Sequence, residues 1–368
     1  MSQEPESKPP GEPAAKRDEL PSGREGHTPD FSPAEVQRRL RHPVSFFRRT
    51  REHLIEGGVF LCGVASILAI SLIFIFLFRE GLQALRMVDT PLDFVYSMGV
   101  QLEYDAGIDD VVAVGEAPQL AWQPVSEEPK LSMIPLMWGS LGVALLASLL
   151  STLAGIGVGI FLSELASPRL RGVVKPMLEL LVGIPTVVIG FVMLAIVAQP
   201  LRQVAEAIGL SGVYGSTYNM FVGAVGVSIV IIPVIGSLVD DALRAVPDDL
   251  RAASLGVGAT RWQTTWRVVL PTGVSGVFGA VILGFGRALG ETMIVLMCAG
   301  NAAQITGNPF DSVRTMTAAI ASEMGAAQVG GVHAQTLFLV GAILITITFL
   351  LNLTMELVVN RFRRKIRL

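Results

Sequence analysis

The sequence predicts an all-α polytopic membrane protein, because its apolar residues are concentrated in six blocks long enough to cross a bilayer. Of the 368 residues, 51% are hydrophobic and 16% are charged, against about 25% charged in an ordinary soluble domain. The blocks are residues 57–78, 141–162, 180–199, 220–239, 273–301 and 336–355. A spanning helix needs about 20 apolar residues, and the blocks lack the alternating pattern of barrel strands. The sequence therefore predicts six membrane-spanning helices.

The stretches around the blocks divide the chain into regions. Residues 1–35 are polar and rich in proline and glycine, which predicts a disordered cytoplasmic extension. The regions after it are a basic membrane-flanking segment (36–55), a first transmembrane helix (56–79), an acidic periplasmic loop (80–136), a five-helix core (137–360) with a cytoplasmic loop at 240–270, and a basic cytoplasmic tail (361–368). The acidic loop favours either solubility or docking of a partner, and the sequence leaves both open.

Basic residues predict the orientation. With the N-terminus inside, the cytoplasmic flanks hold 18 lysines and arginines, and the opposite side holds five. The positive-inside rule therefore predicts cytoplasmic termini.

Composition also argues against several classes of protein. Cys62 and Cys298 lie inside apolar blocks, where they are expected to act as small hydrophobes. The sequence holds no His-Glu-x-x-His pattern, no nucleotide-binding Gly-x4-Gly-Lys-Ser/Thr loop and no Ser-His arrangement at membrane depth. We therefore expect a membrane protein that binds no cofactor, metal or nucleic acid and is not an enzyme.

The connection at 240–270 has the pattern of a short helix followed by a second one. Pro247, Asp248 and Asp249 predict a helix start, and Gly256 and Gly258 predict its end. Such a helix between two spans is suited to inserting into a groove of another protein. An interfacial helix lying on the membrane is the alternative.

This connection resembles the EAA loop of ABC importer permeases. Ala252-Ala253-Ser254, Gly258 and the run Val268-Val269-Leu270-Pro271 match the family spacing. The resemblance implies a six-span type I permease whose loop docks into a separate ATPase subunit. The residues expected to carry the coupling are Asp249, Leu250, Arg251, Ala252, Ala253, Ser254, Gly258, Leu270 and Pro271. Ala252 stands where the family has Glu, so either a polar contact is missing or Asp249 or Arg251 supplies another.

The fifth block contains two charges, Arg287 and Glu291. On a continuous helix they share one face, and a charge at membrane depth costs at least about 2.5–3.5 kcal/mol. A guanidinium suits a passing oxyanion, so we expect Arg287 to bind the substrate and Glu291 to hold or release Arg287. A salt bridge that only fixes packing is the alternative. Gly286 and Gly290 form a Gly-x3-Gly pair, which predicts close helix approach.

The string from Gly286 to Met293, with Gly300-Asn301 after it, is similar to the PstC-type permease of the phosphate-specific (Pst) importers. That resemblance implies a PstA-type second permease, an ATPase dimer that uses ATP and Mg²⁺, a periplasmic phosphate-binding protein, phosphate as substrate and a bacterial inner membrane. The expected translocation residues are Arg287, Glu291, Thr292, Ser140 and Thr186. A sulfate or molybdate permease and a membrane sensor or scaffold are the alternative functions.

Overall fold

The computed structural model describes residues 46–87, 91–95, 97–105, 110–126, 129–209 and 212–366. The extension 1–35 lies outside these residues, and so does the first part of the basic segment. Contacts divide the chain into two compact units, Met1–Leu68 and Ala69–Leu368. In the first unit the described side chains, from Leu54 onward, are mostly exposed.

The helices are α1 (Phe46–Met87), α2 (Ile134–Ile160), α3 (Pro168–Val182), α4 (Thr186–Val192), α5 (Ala198–Ala207), α6 (Met220–Arg244), α7 (Asp248–Gly256), α8 (Arg261–Thr264), α9 (Leu270–Gly290), α10 (Met293–Cys298), α11 (Met316–Glu323) and α12 (Val332–Ile366). Wide helical turns at Phe161–Leu165, Met193–Val197 and Thr265–Val269 extend α2, α4 and α8. The predicted basic tail is, as far as Ile366, a continuation of the last helix.

Within the described residues, six helical stretches are long and apolar enough to cross a membrane, which confirms the predicted fold class. They are Leu54–Met87, Ile134–Leu165, Thr186–Ala207, Met220–Arg244, Arg261–Gly290 and Val332–Thr354. The third stretch starts at Thr186, later than the predicted block, which starts at residue 180. Gly183 and Pro185 interrupt the helix there, since proline has no backbone N–H to donate.

Short polar side chains set several helix starts. The Asn219 carboxamide accepts a hydrogen bond from the Val222 backbone at 2.9 Å, and the Thr315 hydroxyl accepts one from Ala318 at 3.2 Å. Ser167 does the same for α3 and is followed by Pro168 at the first helical position. These are the residue types that satisfy unpaired N–H groups at helix N-termini.

Helix α6 lies at the centre of the second unit. Val222, Ile231, Ile235 and Val239 are almost fully buried, and α6 packs against α2 and α9. A Cβ added to Gly155 of α2 would lie 2.7 Å from the Ile235 side chain, so a residue without a side chain permits this close approach.

The region predicted as an acidic loop, 80–136, contains ordered elements, and α1 continues into it as far as Met87. Strand β1 (Ser97–Asp105) pairs antiparallel with β2 (Asp110–Gln119) from Ser97↔Gln119 to Asp105↔Asp110, with a register shift between Gln101 and Leu102. Strand β3 (Trp122–Gln123) pairs with β4 (Lys130–Leu131). A second apolar core there includes Trp122, Leu131 and Leu337.

Candidate functional site

Arg287 lies on a side of α9 that the other described residues of the second unit leave open. Gly284, three residues earlier, packs against Ile235 near the middle of α6, so Arg287 is about 4.5 Å from that depth at 1.5 Å per residue. Leu283 is 57% exposed, and nothing lies within 4 Å of a Cβ placed on Gly290. Among the described residues, the half-buried Arg287 side chain has no hydrogen-bond or ion-pair partner.

Arg287 and Glu291 do not share a helical face, so that prediction was wrong. Helix α9 ends at Gly290, and Glu291 has extended dihedral angles of φ −68° and ψ 132°. The Glu291 carboxylate accepts a hydrogen bond from the Thr292 N–H at 3.2 Å, and its carbonyl accepts one from the Thr317 hydroxyl at 2.8 Å. Thr317 on α11 therefore supplies a tertiary contact at this break, and no ion pair joins the two charges in the described structure.

The three hydroxyl residues predicted beside these charges lie in different places. Thr292 is in the break, and its hydroxyl donates to the Gly290 carbonyl at 3.3 Å. Thr186 is half-buried at the first position of α4. Ser140 is buried, and its hydroxyl donates to the Leu136 carbonyl at 2.9 Å and accepts from the Met316 N–H at 2.8 Å. Ser140 thus joins α2 to the start of α11.

The predicted coupling helix is α7, and none of its residues is fully buried. Its exposed residues include Asp249, Leu250, Ala252, Ala253 and Leu255. Leu250 and Leu255 are 42% and 45% exposed, and Val257 just beyond the helix is 86% exposed. Leu250, Leu255 and Val257 thus give this surface exposed apolar side chains, which a helix needs to insert into a groove of another protein.

The connection that carries α7 is shorter than the predicted loop of 240–270, because α6 continues to Arg244. Asp240, predicted to lie in the loop, is fully buried at the end of α6. Its carboxylate accepts hydrogen bonds from Arg171 at 3.2 and 2.7 Å and from Lys175 at 3.1 Å. A buried carboxylate requires such partners, and they tie α3 to α6.

Lys175 also pairs with Asp241. Burial lowers the pKa of the Lys175 ammonium, but the hydrogen bonds and negative charges of Asp241 and Asp240 outweigh burial, so the pKa is raised. A lysine side chain is already charged at neutral pH, so the raised pKa keeps Lys175 positively charged there.

The Arg251 guanidinium faces the bundle and bonds to residues of this chain. Its guanidinium donates to the carbonyls of Leu243 at 2.7 Å and Val246 at 2.6 Å. It also pairs with Glu164 at 3.0 Å and Asp248 at 3.1 Å. These contacts attach α7 to the C-terminus of α6 and to the turn after α2.

Gly258 and Ser254 position the chain between α7 and α8. Gly258 has φ +88°, a conformation that costs about 1–2 kcal/mol for residues with a Cβ. The Ser254 and Thr264 hydroxyls are 2.9 Å apart. Leu270 and Pro271 then begin α9 directly after the wide turn, with Leu270 packed against the core and Pro271 exposed. The coupling helix is therefore held to α9 through one short connection.

Comparison with protein families supports a transport role for this arrangement. The family described as "Binding-protein-dependent transport system inner membrane component" matches residues 155–368, which include α7 and Arg287. The chain belongs to this family. The permease is thus a multi-pass membrane subunit of an ABC importer.

Curated relatives confirm the PstC-type resemblance. The probable ABC transporter permease protein YqgH of Bacillus subtilis is 32% identical over 278 residues, 76% of this permease and 88% of that protein. The phosphate transport system permease protein PstC of Mesorhizobium japonicum is 35% identical over 243 residues, 63% of this permease and 73% of that protein.

The fold of the permease also matches a solved transporter. One chain in the crystal structure of a bacterial alginate ABC transporter, in complex with an alginate pentasaccharide-bound periplasmic protein, aligns with a TM-score of 0.51. The alignment covers 88% of the permease and 98% of that chain at 16% sequence identity. This similarity supports the fold alone.

Sequence reasoning missed two polar features of the permease. At the end opposite α7, the Glu323 carboxylate meets Arg314 at 2.7 Å, His333 at 2.8 Å and the Trp122 indole N–H at 3.1 Å. Within the last span, the Asn352 side-chain oxygen would lie 3.0 Å from a Cβ added to Gly286, whereas a Cβ added to Gly290 would meet nothing within 4 Å, so the predicted Gly-x3-Gly approach occurs at Gly286 only. Asn352 was visible as the one carboxamide in block 336–355.

Proposed function

We propose that this permease forms half of the pore of an inorganic phosphate importer and that a PstA-type permease forms the other half. A periplasmic phosphate-binding protein delivers phosphate, and the pore releases it into the cytoplasm. A separate ATPase dimer, using ATP and Mg²⁺, supplies the energy. The observation that carries this proposal is the environment of Arg287.

Arg287 is a cation near mid-depth of the bundle, without a partner among the described residues. Charges at this depth face a bundle interior or a water-filled path. Because the open side of α9 includes Leu283, Arg287 and Gly290, a second permease placed against it encloses such a path. The guanidinium presents planar donors that match a tetrahedral oxyanion in two-point contact.

The break at Glu291 and Thr292 allows the backbone of this site to change conformation. Helix ends that absorb a change in backbone torsions serve as hinges in transport proteins and other switches. In the described conformation Glu291 does not neutralise Arg287, which leaves the guanidinium for the anion. Rotation about the break brings the carboxylate toward Arg287, so Glu291 competes with phosphate and favours its release.

Coupling to ATP hydrolysis is assigned to α7. Its exposed apolar surface inserts into the ATPase, while Arg251 on its other side holds the ends of α6 and α2. A displacement of α7 is therefore transmitted to two spans. This places α7 and both termini in the cytoplasm and the β1–β2 hairpin in the periplasm of a bacterium with an inner membrane.

Uptake into proteoliposomes tests the proposal. The assembled complex is supplied with ATP, binding protein and radiolabelled phosphate, and wild type is compared with Arg287→Ala and Arg287→Lys. Arg202→Ala is the matched control, because Arg202 is an exposed arginine paired with Glu206 at 2.7 Å. We expect ATP-dependent uptake by wild type and the control, near-complete loss in Arg287→Ala, and partial activity in Arg287→Lys.

The outcomes separate the alternatives. Selective uptake of sulfate or molybdate in place of phosphate contradicts the substrate and leaves the importer function intact. Normal uptake by an assembled Arg287→Ala complex shows that Arg287 is a packing residue. Failure of wild type to move any of these anions favours the sensor or scaffold function.

A further inference from the structure

Asn352 is a polar residue of the last span whose side chain packs against Gly286, the residue before Arg287 in α9. A Cβ added to Gly286 would be 3.0 Å from the Asn352 side-chain oxygen and 3.6 Å from its nitrogen. The carboxamide therefore rests against the residue next to Arg287, at nearly the same depth in the bundle. The Asn352 side chain is exposed in this chain.

The other small polar residues of this span behave differently. The hydroxyls of Thr336, Thr346, Thr348 and Thr354 each donate to the carbonyl four residues earlier on α12, at 2.7 or 2.8 Å. Asn352 has no hydrogen-bond partner in the part of the chain that the structure describes. A carboxamide has two donors and an acceptor, and leaving them unpaired in an apolar environment is costly. Asn352 is therefore placed to bond something outside this chain.

We propose that Asn352 is a specificity-determining residue for the transported anion and that its carbonyl oxygen accepts a hydrogen bond from a protonated oxyanion. This inference rests on the proposed phosphate-import function. Arg287 supplies donors only, so it binds phosphate and sulfate alike. Phosphate near neutral pH carries a proton on at least one oxygen, and sulfate carries none. An acceptor at nearly the same depth as Arg287 therefore favours phosphate, while the amide donor of Asn352 adds a contact to either anion.

A neutral acceptor has an advantage over a carboxylate at this position. A carboxylate would form a salt bridge with Arg287 and weaken the attraction of the site for an anion. The carboxamide discriminates by hydrogen bonding without changing the charge of the path. Selectivity of this kind arises because an anion without the required proton cannot donate to the acceptor of the site.

The test is uptake kinetics of the assembled complex in proteoliposomes, with phosphate as substrate and arsenate and sulfate as competitors. Arsenate is protonated like phosphate. The variants are Asn352→Leu, which keeps the size and removes the hydrogen bonds, and Asn352→Gln, which keeps the carboxamide. Thr354→Val is the matched control, since it removes a hydroxyl that is already bonded to its own helix.

We expect Asn352→Leu to raise the KM for phosphate and the inhibition constant of arsenate about tenfold, the scale of one hydrogen bond involving a charged group. The inhibition constant of sulfate should change much less, and Asn352→Gln should retain most of the discrimination. Thr354→Val should resemble wild type.

Three results would overturn the inference while the proposed function stands. These are unchanged kinetics of Asn352→Leu, an equal loss for all three anions, and failure of that variant to co-purify with the second permease, which would make Asn352 a helix-packing residue. If wild type does not import phosphate, the proposed function and this inference fall together, and the wild-type measurement alone reveals that.

Discussion

At the scale of single residues, two arginines of this permease have opposite environments. Arg251 makes four hydrogen bonds to protein atoms, and Arg287 makes none to described residues. The pairing of Arg251 depends on Glu164, which is 87 positions away in the chain. Its role is to hold α7 against the bundle, whereas the role proposed for Arg287 requires that it stay unpaired.

The contact between Arg251 and Glu164 predicts a measurable coupling. Both side chains are largely buried, at 18% and 10% exposure, so removing one partner leaves the other charge uncompensated. In a double-mutant cycle of Glu164→Gln and Arg251→Met, we expect a coupling of about 1–3 kcal/mol in the apparent stability of the purified complex. Transport should fall while substrate binding is retained.

Asp248→Asn is the control for that cycle. Asp248 also pairs with Arg251 but is 98% exposed, and exposed pairs contribute little. A loss from Asp248→Asn as large as that from Glu164→Gln would contradict the anchoring role.

At the scale of elements, the breaks in the helices position the charged residues, the third span and α7 more than the helical segments do. The break after Gly290 separates two charges that an unbroken helix would place together, and the break at Gly183–Pro185 shifts the third span. Gly258 has a positive φ in the turn that follows α7, and the Ala259 N–H donates a hydrogen bond to the Ser254 carbonyl at 3.2 Å. Each break is accompanied by small residues or proline and by a specific hydrogen bond.

Gly258→Ala is expected to loosen the coupling helix. An alanine at φ +88° is strained by about 1–2 kcal/mol, and nothing lies within 4 Å of the added Cβ, so the effect comes from the backbone. Hydrogen exchange of the α7 amides should become faster. Gly256→Ala is the matched control, because Gly256 is helical and a Cβ added there would also meet nothing within 4 Å. Equal exchange in the two variants would argue against this explanation.

At the scale of the whole molecule, α6 connects the site to the coupling end. It packs against α9 near Gly284, and its C-terminus is held by Arg171, Lys175 and Arg251. The opposite end is joined by the Glu323 cluster, which links β3, α11 and the start of α12. A bundle tied at both ends and open along one side of α9 is suited to moving as a unit against a second permease.

Orientation in the membrane is tested with two single cysteines in a background of Cys62→Ser and Cys298→Ala. Val329→Cys and Val257→Cys are at opposite ends of the bundle, and the natural side chains are 97% and 86% exposed. A membrane-impermeant maleimide applied to intact spheroplasts should label position 329 and should label position 257 only after permeabilisation. The reverse pattern would invert the proposed topology.

The sequence by itself determined the spans, the position of the short helix α7 and the family, because these depend on local features. Runs of apolar residues specify membrane helices, and Pro247 and Gly258 mark the ends of the coupling segment. Arg287 could also be singled out, since a charge in an apolar block is visible without a structure.

Only the tertiary structure decided which charges are paired and which face is open. The Arg251–Glu164 and Asp240–Arg171 pairs join residues far apart in the chain, and sequence spacing carries no signal for such contacts. Spacing also placed Glu291 beside Arg287, but Thr317 from another helix bonds the backbone at the break that separates them. The nearness of Asn352 to Gly286 likewise depends on the packing of α9 against α12. Local propensity sets where helices form, and long-range packing sets what their side chains meet.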